Sequence, residues 1–170
     1  TLLGHFRHEI GHYFWNMLVR NDACLTRFRD IFGDESLDYG TALKIYYANG
    51  PLPQWEESFV SAYATAHPWE DFAETFAHYL LIVDTLETAS AFEFQVRPRL
   101  RSAPAPATPS AVVIDFDPYS AADLKRLVAA WLPLTYALNA VNRSMGKDDL
   151  YPFVLSQAVL AKQKETGLVC

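Results

Sequence analysis

The sequence predicts a mainly α-helical domain in which two helices face each other across a metal site. The chain has 170 residues, of which 51% are hydrophobic and 14% aromatic, so one domain spanning residues 1–170 can bury a core. His8, Glu9 and His12 form an H-E-x-x-H pattern in a stretch of helical character. Carboxylates recur at four-residue spacing in a second such stretch, residues 69–80. The composition and these two patterns together favour a helical metal-binding domain.

The first helix is predicted over residues 2–20 and carries the H-E-x-x-H pattern. One helical turn separates His8 from His12, so both imidazoles project from one face and can share a metal ion. Glu9 lies about 100° around the helix from His8, which suits it less to metal binding than to taking a proton from a metal-bound water. Gly11 is small enough to let a second helix approach closely. The alternative is a chance match on an amphipathic helix, because so short a pattern is common.

Shorter helices are predicted before the second motif. Residues 27–32 continue helically and stop at Gly33. Residues 39–48 form a helix that the turn residues Asn49, Gly50 and Pro51 close, and residues 55–65 are helical in part.

The glutamate helix is predicted over residues 69–88. Pro68 suits the first helical position, and acidic residues suit the first turn. Glu70, Glu74 and His78 follow one another at four-residue spacing and share one face. A two-histidine zinc site typically takes a carboxylate as its third ligand, and a further carboxylate commonly orients a ligand histidine. Glu70 as ligand and Glu74 as the orienting group fit these needs, with His78 behind them as an outer partner or a core histidine.

The C-terminal part is predicted as a loop, a short strand and two helices. Residues 97–110 are rich in Pro, Ala and Ser and indicate an extended loop, within a flexible segment of about 97–111. A short strand over residues 112–114 follows. Ser120 with Asp123 resembles a capping box that opens a helix to about residue 143. The last helix is predicted over residues 149–164.

Other classes of metal site fit the sequence less well. A metzincin requires glycine and histidine where this chain has Trp15 and Leu18. A ferritin-like two-metal bundle needs two E-x-x-H pairs, and the downstream glutamate and histidine are four residues apart instead of three. An aspartate as third ligand, Asp71 or Asp38, stays open at this point.

The two motifs resemble those of the gluzincin metallopeptidases, in which a glutamate ligand on a second helix follows H-E-x-x-H. The segment Y-A-T-A-H-P-W-E-D-F-A-E is similar to the glutamate helix of the anthrax lethal factor type of catalytic domain. The chain is more closely similar to a family of bacterial zinc metallopeptidases with an N-terminal zinc ribbon. The segments H-E-I-G-H-Y-F-W, V-S-A-Y-A-T-A-H-P-W-E-D-F-A-E-T-F-A-H-Y-L and L-N-A-V-N-R-S-M-G-K-D-D-L-Y-P-F-V-L carry that resemblance. The zinc ribbon itself is absent, since the two cysteines form no C-x-x-C pair.

The resemblance implies a gluzincin-like zincin helical domain that holds one catalytic zinc ion. His8, His12 and Glu70 would bind the ion, and Glu9 would act as general base on the zinc-activated water. Tyr63, seven residues before Glu70 as in the lethal factor type, would stabilise the oxyanion. Such domains usually place a small β-sheet before the first motif. The resemblance therefore implies a fragment that lacks its N-terminal part and this sheet.

The predicted function is hydrolysis of peptide bonds in a peptide or protein substrate. One alternative is a non-catalytic module that zinc stabilises and that binds peptides or proteins. Another is a zinc amidase acting on a non-protein substrate. An intact Glu9 weighs against the first alternative, because a structural zinc site has no use for a base.

Charge and composition argue against several other partners. The net charge of −6 disfavours nucleic acid or an anionic membrane as the main partner. No apolar run approaches about 20 residues, so no membrane-spanning helix is expected. Cys24 and Cys170 suggest no disulfide framework, which fits a reducing, cytoplasmic compartment.

Overall fold

The structure is a computed structural model that describes residues 1–19, 21–97, 112–120, 123–151 and 154–166. It is mainly helical, which confirms the predicted fold class. The stretch predicted as partly helical over residues 55–65 contains two short 3-10 helices, Trp55–Glu57 and Tyr63–Ala66. The helices and strands are α1 (Leu2–Leu18), α2 (Asp22–Phe32), α3 (Tyr39–Asn49), α4 (Pro68–Ala91), β1 (Gln95–Val96), β2 (Val112–Val113), α5 (Leu124–Ser144) and α6 (Gln157–Thr166).

The ends of α3 and α4 are set by the residues that the sequence places there. The Asp38 carboxylate accepts a hydrogen bond from the backbone N–H of Thr41 at 2.7 Å, so α3 begins directly after it. Gly50 ends α3 with a φ of 80°, a conformation that glycine adopts without strain. Pro68 occupies the first position of α4, as predicted.

One compact unit comprises Thr1–Leu81 and Phe153–Cys170. Its core is an aromatic cluster in which rings of α2 and α4 meet: the Phe28 and Phe32 centroids are 5.0 Å apart, and those of Phe32 and Phe72 are 5.5 Å apart. Such separations are favourable for aromatic pairs. Trp15 of α1 packs against the same cluster. The core therefore holds α1 and α4, the two helices that carry the motifs.

The approach of α1 to α4 is closest at Gly11. A Cβ atom at this position would lie 2.8 Å from the Ala73 Cα and 3.1 Å from the Ala73 carbonyl oxygen. Backbone atoms cannot yield to such a contact without moving the helix. The expectation that Gly11 lets two helices approach closely is therefore confirmed.

The C-terminal helix α6 belongs to the same unit and is fixed to α4 by buried polar contacts. The Lys162 ammonium donates to the Asp71 carboxylate at 2.6 Å and to the Ser58 carbonyl at 2.8 Å. Gln163 of α6 contacts the His78 imidazole. Because the side chains of Lys162, Asp71, Gln163 and His78 are all buried, the contacts tie α6 to α4.

The other compact unit comprises Ile82–Pro152. Its strands β1 and β2 pair antiparallel, with Gln95 opposite Val113 and Val96 opposite Val112. The Asn139 side chain of α5 donates to the Tyr151 carbonyl at 2.8 Å and accepts from the Tyr151 amide at 3.0 Å. These bonds fix the chain that follows α5.

Two predictions about the C-terminal part are wrong. Residue 149 does not open a helix, because Asp149 pairs with Arg143 at 2.9 Å, and α6 begins only at Gln157. Ser120 does not cap α5, since its hydroxyl donates to Asp117. Asp123 is the N-cap instead and accepts from the Lys125 amide at 3.0 Å.

The predictions of a short strand, a flexible segment, the state of the cysteines and the lack of a membrane-spanning helix have separate outcomes. The short strand at residues 112–114 is confirmed as β2, whereas β1 was not predicted. The flexible segment of about 97–111 lies, beyond residue 97, outside the described residues. The prediction that Cys24 and Cys170 form no disulfide framework involves Cys170, which lies outside the described residues. Within the described ranges, every helix is too short or too polar to cross a bilayer.

Candidate metal centre

The imidazoles of His8 and His12 converge with the Glu70 carboxylate. The Nε2 atoms of the two histidines are 3.0 Å apart. The Glu70 Oε2 atom lies 3.0 Å from the His8 Nε2 and 3.5 Å from the His12 Nε2. The ligand-type atoms of these three residues all lie within 4.8 Å of one another. The structure therefore brings together the three residues that the sequence predicts as metal ligands.

Two observations fit a metal ion at this point. A tetrahedral zinc site with bonds of about 2.0–2.1 Å has donor–donor edges of about 3.3 Å, close to the three separations found here. The Glu70 Oε2 atom is buried and makes no hydrogen bond of good geometry within the described part of the chain, although both imidazoles are near. A buried carboxylate oxygen without a donor is costly, and a cation removes that cost. Two histidines and one carboxylate are a donor set of open zinc sites.

The ionisation of Glu70 agrees with this role. The residue is only 1% exposed. Burial raises the pKa of Glu70, but the contacts with His12 and His8 and a hydrogen bond from Tyr39 outweigh burial and hold it well below its usual range. The carboxylate is therefore charged, as a metal ligand must be.

Glu74 lies on the opposite edge of the His8 imidazole. The Glu74 Oε1 atom is 2.6 Å from the His8 Nδ1, and the Ser61 hydroxyl donates to Glu74 Oε2 at 2.6 Å. Because a carboxylate only accepts, the His8 Nδ1 donates to Glu74, and the Nε2 edge of the same ring faces Glu70 and His12. Burial raises the pKa of Glu74, but the hydrogen bonds with His8 and Ser61 lower it by more than burial raises it. The net shift of the Glu74 pKa is therefore downward.

Tyr39 is a contact of the site that the sequence did not predict. Its hydroxyl donates to the Glu70 Oε1 atom, the oxygen that does not face the histidines. Burial and the negative charge of Glu70 raise the pKa of Tyr39 to about 12, so the hydroxyl keeps its proton and remains a donor. No periodic signal links Tyr39 at the start of α3 with a residue on α4, and only the tertiary fold brings them together.

Glu9 and Tyr63 lie in the same open cleft as the convergent atoms of His8, His12 and Glu70. Glu9 is exposed and stands apart from the convergent group, and its carboxylate is 3.6 Å from the His5 imidazole. The Tyr63 ring centroid is 6.0 Å from that of His8. Burial and the charge on Glu70 raise the pKa of Tyr63, so its hydroxyl is a donor. The cleft has a volume of about 420 Å³ and is lined by Gly4, His5, His8, Glu9, His12, Tyr39, Tyr63, Glu70 and Glu74. We call it the metal cleft.

The alternative ligands of the sequence analysis are engaged elsewhere. Asp71 pairs with Lys162, and Asp38 caps α3. Burial raises the pKa of Asp71, and the Lys162 ammonium opposes part of that shift. His78 is buried and contacts Gln163, which agrees with a core histidine. Glu70 is thus the carboxylate that meets the two histidines.

Comparison with known proteins agrees with the geometry. Residues 1–166 match the family described as "Putative zinc-binding metallo-peptidase". The chain is 49% identical over 165 residues to an uncharacterized protein of Mycobacterium bovis. It has the same identity over the same length to uncharacterized proteins of two Mycobacterium tuberculosis strains. The alignments cover 96% of this chain and 45% of each relative, so the chain spans less than half of their length. No solved structure matches it. The chain therefore belongs to the family of that description.

Proposed function

We propose that this domain is a zinc-dependent peptidase with His8, His12 and Glu70 as the zinc ligands. The observation that carries the proposal is the convergence of two Nε2 atoms on a buried carboxylate oxygen that has no hydrogen bond of its own among the described residues. Membership of the family supports the same metal and the same reaction class. Bound zinc would supply Lewis acidity for hydrolysis.

The protein groups around the ligands have separate roles in the proposal. Glu9 accepts a proton from the attacking water and passes it to the leaving amine. Its exposed carboxylate in the metal cleft supports this role, because a base must reach substrate. Tyr63 donates its hydroxyl hydrogen to the developing oxyanion, as its raised pKa allows.

Two further groups position ligands without contacting substrate. Glu74, itself held by Ser61, fixes the tautomer and orientation of His8. Tyr39 binds one oxygen of Glu70 and so keeps the other turned to the histidines. A module that only stores zinc would have use for these groups but none for Glu9, and the presence of Glu9 in the cleft favours the enzyme.

The test is a comparison of the parent with Glu9→Gln on a diverse peptide library, both loaded with zinc. The substitution removes the proton acceptor and keeps the shape, so we expect cleavage to fall by about 100- to 10,000-fold while bound zinc stays at one ion per chain. The control is Glu87→Gln, an exposed glutamate of α4 outside the metal cleft. A Glu9→Gln variant that cleaves as fast as the parent would refute the proposal, and so would a zinc-loaded parent that cleaves nothing.

A further inference from the structure

A second cleft, of about 320 Å³, adjoins the metal cleft. It shares Glu9, His12 and Tyr39 with the metal cleft. Its other lining residues are Trp15, Asn16 and Trp69, and we call it the aromatic cleft. Trp15 and Asn16 follow His12 by about one turn of α1, so this cleft starts at the reacting groups and extends along the helix.

The wall of the aromatic cleft is built from packed rings. The Trp15 and Trp69 rings meet edge to face at 5.2 Å between centroids, and the Tyr39 and Trp69 rings lie 6.0 Å apart. Trp15 is in turn held by Phe28 at 5.6 Å. These separations are within the favourable range for aromatic pairs. Since Trp15 and Trp69 also pack against the core cluster, the wall is preformed and does not need a ligand to assemble it.

The chemistry of the lining disfavours an acidic occupant and offers aromatic surface to an aromatic one. Among the described residues that line the aromatic cleft there is no Lys or Arg, and Glu9 contributes a negative charge at one end. An acidic side chain would meet this carboxylate without a compensating cation. An aromatic side chain would instead extend the existing cluster of rings. The volume lies at the small end of ligand pockets, which run from about 300 to 1,000 Å³.

We propose that the aromatic cleft binds an aromatic side chain of the substrate residue that flanks the scissile bond. The inference rests on the peptidase activity proposed above. Because Glu9 and His12 border both clefts, a side chain in the aromatic cleft belongs to a residue next to the bond under attack. The cleft therefore determines specificity, and Trp15, Asn16 and Trp69 are its specificity residues.

The first test measures binding without hydrolysis. The chain has four tryptophans, whose indole N–H signals can be resolved by nuclear magnetic resonance. On titrating the zinc-loaded protein with N-acetylphenylalanine amide, we expect the signals of Trp15 and Trp69 to shift and that of buried Trp131 to stay. N-acetylglycine amide should move none of them. Unmoved Trp15 and Trp69 signals, or equal shifts with both amides, would overturn the proposal.

The second test fills the aromatic cleft with a tryptophan ring introduced at the exposed residue Asn16. In the parent, peptides with Phe beside the scissile bond should be cleaved with a kcat/KM at least about tenfold above matched peptides with Ala. Asn16→Trp should abolish this preference because the new ring occupies the cleft. Met17→Trp adds the same ring one residue along α1, outside both clefts, and should keep the preference. A preference that survives Asn16→Trp would overturn the assignment.

The two tests separate this inference from the peptidase proposal. A parent that cleaves peptides without regard to aromatic residues overturns the role of the aromatic cleft and leaves the peptidase function in place. A parent that cleaves nothing, while Trp15 and Trp69 respond selectively to the aromatic amide, refutes the peptidase function and supports the cleft as a binding site for aromatic groups.

Discussion

At the scale of single residues, two glutamates one helical turn apart contact the same imidazole in different ways. Glu70 approaches the Nε2 edge of His8 at 3.0 Å, and Glu74 approaches the Nδ1 edge at 2.6 Å. Only the Nε2 edge also faces His12. The geometry therefore separates Glu70, which we propose as a zinc ligand, from Glu74, which we propose orients His8.

Substitution of these two glutamates should reveal the difference. Glu74→Gln should weaken zinc binding by about 10- to 100-fold, the usual cost of losing a group that orients a ligand. Glu70→Gln should weaken it further, because it removes a charged ligand. Competition with a chromophoric chelator measures both, with Glu87→Gln as control. A greater loss from Glu74→Gln than from Glu70→Gln would reverse the assignment.

Two tyrosines offer a second matched pair. Tyr39→Phe removes the hydrogen bond to Glu70 and should lower zinc affinity by about tenfold. Tyr63→Phe should leave zinc affinity unchanged and slow turnover by up to about 100- to 1,000-fold, since it removes an oxyanion donor. The exposed Tyr136→Phe should change neither quantity. If Tyr63→Phe reduces zinc affinity at unchanged turnover, its role is structural.

Prediction of the site from sequence succeeded where the signal was local. His8 and His12 are one turn apart, and Glu70 and Glu74 share a stripe of one helix, so spacing alone places each pair. Tyr39 was not predicted because it is 31 residues from Glu70. Ser61 was missed for the same reason: its bond to Glu74 depends on the turn before α4, which no spacing rule defines.

At the scale of elements, the contact between α1 and α4 depends on Gly11. Gly11→Ala would place a methyl group against the Ala73 backbone, so we expect a loss of about 1–3 kcal/mol in the free energy of unfolding. Zinc affinity should fall too, since separation of the helices moves His8 and His12 away from Glu70.

Gly40→Ala of α3 is the matched control. Its added Cβ would have its nearest contact, with Asp38, at an ordinary 3.8 Å, and the substitution should raise stability slightly or leave it unchanged. Chemical denaturation measures both variants. Equal stability of the Gly11→Ala variant and the parent would contradict the close approach described for α1 and α4.

The packing of α6 on α4 makes stability depend on pH through His78. Burial lowers the pKa of His78 to about 4, from 6.5 in the unfolded chain. Between these values the unfolded chain binds a proton that the folded chain does not. The free energy of unfolding should therefore fall as the pH falls from about 6.5 to about 4, by up to about 1.4 kcal/mol per pH unit.

His78→Gln should remove this part of the pH dependence. Urea denaturation of the zinc-free protein across that pH range measures it, with the exposed His5→Gln as control. Parallel pH profiles for the parent and His78→Gln would show that His78 does not titrate on unfolding.

Elements with strong patterns were predicted well, and elements defined by tertiary contacts were not. The positions of α1 and α4 in the chain could be predicted from their motifs and apolar faces, and the start of α4 from Pro68. The start of α6 was placed too early, because Asp149 and Tyr151 are held by bonds to α5 that remove them from any helix. The sequence of residues 149–156 carries no periodic signal of those partners.

At the scale of the whole molecule, every residue of the candidate site belongs to the unit formed by Thr1–Leu81 and Phe153–Cys170. The aromatic core of that unit holds α1 and α4, and the convergent atoms of His8, His12 and Glu70 lie where these two helices meet. The sequence predicted the helical class and the family, but the second unit, Ile82–Pro152, has no assigned role in the proposed reaction.

We propose that one zinc ion binds to His8, His12 and Glu70. Anomalous diffraction from crystals of the zinc-loaded protein, collected at the zinc absorption edge, tests it most directly. We predict one anomalous peak per chain in the metal cleft, with the two Nε2 atoms and a Glu70 oxygen at about 2.0–2.2 Å. A zinc peak elsewhere, or one bound by Glu74 or Asp71 while Glu70 points away from the ion, would contradict the account.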